Sequence, residues 1–317
     1  MVRHQDHVAA AGWASHHHIV ARGFFRRASI EWLTVALILG CYGAWIAAGM
    51  LYTSAAWVSI VLLALPIVLH SSLQHEAIHR HPTRHARLNE ALVFLPLGLL
   101  VPFRRYRDLH LRHHGDARLT DPYDDPESFY FAFYDYQRLP RALRTLLAWN
   151  NMLVVRMLIG PAISAAGFLL SELRAGIDPR RRRAWALHAT GVLAVAAIVH
   201  FVFAMPAPAY LGSAYLGLAL LAVRSFCEHQ WAEAPDGRTV IVERSLLGLL
   251  FLNNNIHLVH HKHPGLPWYE LPAAYRARRE EWRTVNGGYV FASYGAVLRR
   301  FGLRSKEPVA HPVRVGR

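Results

Sequence analysis

Apolar residues run almost unbroken from Ile30 to Met50 and again over residues 53–72. Each stretch is close to the ~20 residues that a helix needs to cross ~30 Å of hydrocarbon. The link between them has room only for a hairpin. Residues 92–103 (LVFLPLGLLVPF) are also apolar, but they are short and contain Pro96 and Gly98. That pattern predicts a re-entrant or in-plane segment rather than a span. Three more apolar segments follow at 152–172, 185–204 and 209–226.

The polar connections decide which of these segments cross. RAGIDPRRRR, residues 174–183, carries five arginines, and positively charged loops stay in the cytoplasm. Segment 152–172 then returns to the side it left, and its Arg156, Gly160 and Pro161 fit a broken in-plane helix. The expected crossings are 30–50, 53–72, 185–204 and 209–226. Residues 1–28, 73–184 and 227–317 then share the cytoplasmic face. The expected fold class is all-α and integral to the membrane: four transmembrane helices, in-plane helices and a cytoplasmic cap. The expected division is an N-terminal tail (1–28), a membrane domain (29–285) and a C-terminal tail (286–317). No internal repeat or Gly/Ser linker is visible.

Composition agrees with a membrane body carrying a polar half. Hydrophobic residues make up 53% and charged residues 18%, too apolar for an ordinary soluble enzyme and too charged for a pure bundle of spans. The net charge is +14, which raises nucleic acid as a partner. The arginines, however, cluster beside the apolar segments (Arg22, Arg26, Arg27; Arg104, Arg105, Arg107; Arg180 to Arg183), where they read as anchors against anionic lipid. No nucleic-acid partner is expected. Cys41 and Cys227 both lie in apolar stretches, and no CxxC pair exists for an iron–sulfur cluster. No cleavable signal peptide is expected.

Against this background the 21 histidines stand out. QHEAIHRH places His75 and His79 four apart. HLRHH gives His110, His113 and His114; HLVHH gives His257, His260 and His261; His229 follows the last apolar segment. Residues at i, i+3 and i+4 share a helix face, so each group can aim its imidazoles at a common point. Imidazole suits Fe, Zn, Cu and Ni. These nine exceed what one tetrahedral zinc can use. They suit two metals with open positions, and an all-imidazole set without thiolate fits redox iron that meets O2. HExxH alone would read as a zinc metalloprotease with Glu76 as base, but two further HxxHH groups are more than a zincin needs. A histidine-rich metal carrier is a further alternative. Metal-bound histidines donate their second N–H to a carboxylate or carbonyl. Glu76, Asp121, Asp124, Glu228 and Asn253 are the candidates for that supporting role. His70, His81, His85, His188, His200 and His263 are read as packing, supporting or surface residues.

In this order, H-x3-H, HxxHH and HxxHH on the cytoplasmic side of four spans resemble the membrane fatty acid desaturase superfamily over roughly residues 30–280. NNNIHLVHHKHPGLPWYELP and HRHPTR…HHGDARLTDPYDDPESFY resemble its bacterial branch, which includes acyl desaturases, carotenoid ketolases and the oxygenase of rhizopine catabolism. The resemblance implies a non-haem di-iron centre, O2 as oxidant and an external electron donor such as ferredoxin with its reductase. It implies His75, His79, His110, His113, His114, His229, His257, His260 and His261 as ligands, with no catalytic residue beyond the metal centre. The expected location is the bacterial inner membrane, with the site facing the cytoplasm. The expected activity is desaturation of a fatty acyl or lipid substrate. HExxH departs from the H-x4-H of many acyl desaturases and is closer to hydroxylase-type relatives. A hydroxylase or demethylating monooxygenase of a lipid head group, carotenoid or small amphiphile therefore stands beside desaturation.

Overall fold

The structure, a computed structural model, describes residues 30–115, 118–176 and 178–313. The expected tail at 1–28 lies outside the described residues. Its long helices are α1 (Trp32–Met50), α2 (Ala56–Ile78), α7 (Leu153–Arg174), α8 (Pro179–Ala197, continued by a π-helical turn at Ile198–Val202) and α9 (Ala207–Glu228). The cap contains α3 (Ala86–Leu92), α4 (Phe103–Gly115), α5 (Phe133–Arg138), α6 (Arg141–Trp149), α10 (His257–Lys262), α11 (Leu271–Ala277), α12 (Arg279–Val285) and α13 (Tyr294–Phe301).

The buried residues of α1 follow a helical stripe: Thr34, Ile38, Cys41, Trp45 and Ala48. The opposite face is equally apolar yet exposed, with Trp32, Leu33 and Leu39 outward. Trp57 and Phe201 are about 80% exposed, and Leu173 and Leu193 above 70%. A helix apolar all round with one face uncovered is a lipid-facing helix, since water penalises so large an apolar surface. Among the described residues, five helices are long and apolar enough to cross a membrane.

α2 and α9 form the centre of the bundle. Gly217 lets them approach: a Cβ there would come within 2.8 Å of the Ile67 side chain and 3.3 Å of the Ala64 carbonyl. α2 has 23 residues, about 35 Å at 1.5 Å per residue. It is therefore longer than the hydrocarbon core is thick and ends six residues past the apolar end read from sequence, with His75 in its last turn. α9 ends beside it at Glu228, with His229 as its C-cap.

The segment 93–102 forms no helix. It inserts among the long helices, where the Leu97 carbonyl accepts from Tyr210 and the Leu99 carbonyl faces His188 Nε2 at 2.9 Å.

The expected break near Pro161 is absent. α7 is one helix of 22 residues with Pro161 inside. Proline removes one N–H from the ladder, and here the Tyr215 hydroxyl donates to the neighbouring Leu158 carbonyl. Both ends of α7 touch the cap. The Val154 N–H donates to the Gly302 carbonyl at 3.1 Å, and Glu172 accepts from Arg105 of α4 at 2.8 Å.

The fold is mostly helical, with one departure. β1 (Ile241–Arg244) and β2 (Val290–Ser293) form a two-stranded parallel sheet, Ile241 opposite Val290. Both strands carry the β-branched and aromatic residues that favour a pleated, half-buried surface. The segment expected as a C-terminal tail contributes β2 to this sheet. Residues 286–313 are part of the body: β2 pairs with β1, α13 packs its Val297 and Phe301 into the core, and His311 N–H bonds to the Phe131 carbonyl.

Candidate metal centre

The nine patterned histidines gather into two adjacent groups. His75, His79, His110, His114 and His260 each offer a nitrogen, all five within 4.8 Å of one another. His113, His229, His257 and His261 do the same. The helices explain the sorting. The end of α2 aims His75 and His79 at the first group. In α4 the i, i+4 pair His110/His114 joins them, while His113 turns to the second group. α10 inverts this arrangement: His257/His261 serve the second group and His260 the first. Each HxxHH therefore straddles both groups rather than meeting at one point. His114 and His261 stack at 4.2 Å between ring centres, joining the two.

The hydrogen bonds fix which ring nitrogens carry lone pairs. His113 Nδ1 donates to Asp125 Oδ1 at 2.8 Å, and His110 Nδ1 to Glu127 Oε1 at 2.8 Å. His229 Nδ1 donates to the Arg238 carbonyl at 3.3 Å. His257 Nδ1 donates to Asn254 Oδ1 at 2.9 Å; the Asn254 amide is oriented by its own donation to Glu228 Oε1 at 3.0 Å. With Nδ1 so engaged, the opposite nitrogen of a neutral ring is an acceptor. Yet His229 Nε2 lies 3.1 Å from both His113 Nε2 and His257 Nε2. Lone pairs facing at that distance repel unless a proton or a metal lies between them. In the first group His75 Nε2 is buried without a hydrogen-bond partner. Orphaned and convergent nitrogens of this kind fit metal ions, and both groups can hold one.

Burial keeps most of these rings neutral, the form a metal needs. It holds His257, His260 and His261 well below the usual histidine range, and His229 down to about 3. Burial also lowers His79, reinforced by His110, and likewise His114. His113 is the exception. Burial opposes its charge, but Glu127 and Asp125 outweigh it and raise the ring to about 9. Glu127 is pulled below the carboxylate range by His110 and His113 against its own burial.

The supporting residues expected from sequence are placed differently. Asp121 caps its own turn, accepting from the Tyr123 and Asp124 N–H groups at 2.8 and 3.1 Å. Asp124 pairs with Arg118 at 2.6 Å. Asn253 donates to the Trp268 carbonyl at 2.9 Å. Glu76 accepts from the Trp268 N–H at 3.2 Å and stands 3.7 Å from His75 Nδ1, too far for a hydrogen bond. That engagement leaves it poorly placed as a protease base. Glu228 acts one step removed, through Asn254 and an ion pair to Arg224 at 2.8 Å. Asp125, Glu127 and Asn254 hold the rings, each within a few residues of a candidate named from sequence. The Arg238 carbonyl left no signal in the sequence. His81 lies outside both groups, paired with Glu31 at 2.6 Å, and so do His70 and His188.

A cavity of about 290 Å³ adjoins the centre. Ile67 and Val68 of α2, Gly98 to Val101, Gly160 and Pro161 of α7, and Leu218 and Leu221 of α9 line it. Tyr106, Glu127, Arg156, Arg224 and Glu228 add polar groups to its wall, so the carboxylate that holds His110 also faces the cavity.

No curated protein matches this chain. The sequence profile described as fatty acid desaturase matches residues 52–293, which include all nine histidines. With most of its length covered by that profile and two imidazole groups beside a largely apolar cavity, the chain belongs to the fatty acid desaturase family and is a membrane oxidoreductase.

Proposed function

We propose that the two histidine groups hold two irons, and that the chain is an O2-dependent desaturase of a fatty acyl or lipid substrate. The observation that carries this reading is the convergence of Nε2 atoms at 3.1 Å whose rings are already fixed through Nδ1. Such a pair of irons supplies O2 activation and the oxidising power to break an unactivated C–H bond. Desaturation takes two hydrogen atoms from the substrate, two electrons from an external donor of the ferredoxin type and two protons from solvent, and O2 leaves as two waters. The chain's own residues position and shield. Asp125, Glu127, Asn254 and the Arg238 carbonyl orient the imidazoles, and the apolar wall of the cavity keeps water from the reacting carbon.

The topology that supports this reading has four crossings: α1, α2, α8 and α9. α7 lies along the interface, because both of its ends return to the cap through Gly302 and Arg105. Five crossings would separate the His75 end of α2 from the His229 end of α9, which lie in adjacent groups. The arginines of 174–183 favour a cytoplasm-facing cap in a bacterial inner membrane.

Hydroxylation or oxidative demethylation is the second reading, favoured by the H-x3-H spacing of His75 and His79. Lipid mass spectrometry of cells with and without the protein separates the two. A product lighter by two hydrogens supports desaturation; one carrying an oxygen atom from labelled O2 supports hydroxylation. A purified chain holding one zinc and no iron would overturn both.

A further inference from the structure

The cavity holds a cation that the metal centre does not use. Arg156, in the first turn of α7, lines the cavity. Its Nε donates to the Asn150 carbonyl at 3.0 Å. Its guanidinium lies 5.6 Å from the Phe226 ring centre and 5.8 Å from that of Phe129. Gly160, one turn on, leaves room for it: a Cβ there would stand 3.1 Å from Arg156 Cδ.

The other charged groups nearby are matched. Arg224 pairs with Glu228 at 2.8 Å, and Glu127 with His110. Lys306, against the same two phenylalanine rings, pairs with Glu307 at 2.8 Å. Among the described residues, Arg156 pairs with no carboxylate. A guanidinium held among apolar groups without a counter-charge is costly. Its planar fork suits a carboxylate or phosphate, and the N-terminus of α7 adds to the positive potential.

We propose that Arg156 receives the anionic end of the substrate, a single-chain amphiphile bearing one carboxylate or phosphate group. The volume of about 290 Å³ is at the small end for ligand sites, which favours one chain over a two-chain lipid. This rests on the reading of the cavity as the substrate site.

The test is equilibrium binding to the iron-loaded full chain in nanodiscs, with laurate, dodecyl phosphate and dodecanol as probes. The native protein is expected to bind an anionic probe about ten- to a hundredfold more tightly than dodecanol, the range for a hydrogen-bonded charge pair. Arg156→Gln should abolish that preference and Arg156→Lys should keep part of it. Tighter laurate identifies a free carboxylate as the source; tighter dodecyl phosphate identifies a phosphate head group. Equal binding of all three probes by the native protein overturns the proposal, as does a preference that survives Arg156→Gln. The native comparison needs no variant, so misfolding of a variant does not decide the outcome. Failure of the native chain to bind iron would sink the di-iron desaturase reading alone. Indifference to the anion in an iron-replete, active chain would sink this one alone.

Discussion

At the scale of single residues, the centre depends on which side chain holds each ring. Asp125 accepts from His113 Nδ1 and also from the Thr120 and Glu127 N–H groups at 2.8 and 2.9 Å. It therefore orients a ring and shapes the loop that brings Glu127 to His110. Outer partners of this kind typically carry ~10- to 100-fold in metal affinity. Asp125→Asn should lose iron by about that factor, while Asp121→Asn, which keeps an oxygen for its own turn, should stay near full occupancy. Iron per folded chain checks both; equal loss in the two variants would refute the assignment. The histidines were legible because ligands on helices repeat at i, i+3 and i+4. Asp125, Glu127 and Asn254 lie in turns, where no periodicity separates them from Asp121, Asp124 and Asn253.

The same residues set a pH dependence. The His113 ring is raised to about 9, so it is charged in the metal-free protein at neutral pH. The stabilisation from that charge is fully present below the ordinary value of 6.5 and is lost as pH rises through about 9. A metal needs the neutral ring and must displace this proton. Iron binding at pH 7.5 should release about one proton from His113, and affinity should rise by about tenfold per pH unit towards 9. Calorimetry in buffers of different ionisation enthalpy measures the release; no dependence on the buffer would contradict it.

At the scale of elements, close helix packing supports the centre. The groups draw on α2, α4, α10 and the end of α9, so the approach of α2 to α9 at Gly217 sets their separation. Gly217→Ala places a Cβ 2.8 Å from the Ile67 side chain and 3.3 Å from a carbonyl. β-branched Ile67 has few ways to yield, and overpacking typically costs ~1–3 kcal/mol. This variant should melt earlier and also lose iron per folded chain. Gly49→Ala runs into the Phe203 ring at the far end of α1. It should lower the melting temperature while leaving iron per folded chain intact. Equal iron loss in both would show that the centre responds to general instability and not to this contact. The existence and approximate positions of α1, α2, α8 and α9 were readable from apolar runs. The continuity of α7 was not, because Gly160 and Pro161 look like a break until Tyr215 and the Arg156 packing are seen.

At the scale of the whole molecule, sequence supplied the principle that distant histidines must share a face, but not the C-terminal closure. β1 and β2 lie almost fifty residues apart and are four residues each; such short strands pair only through tertiary contacts. The remaining choice is between four crossings and five, and exposed positions distinguish them. In the four-crossing arrangement Ser54 and Ala207 face the periplasm, while Arg180 and Glu281 face the cytoplasm. Five crossings would leave Ser54 where it is and invert the other three. The native Cys41 and Cys227 are buried, so single cysteines at those four positions can be read with a membrane-impermeant thiol reagent. Ser54→Cys and Ala207→Cys should label in intact cells, and Arg180→Cys and Glu281→Cys only after lysis. Labelling of Glu281→Cys from outside would put the α10 side of the cap across the membrane from His75. The two histidine groups could not then be neighbours, and the metal centre would fall with the topology.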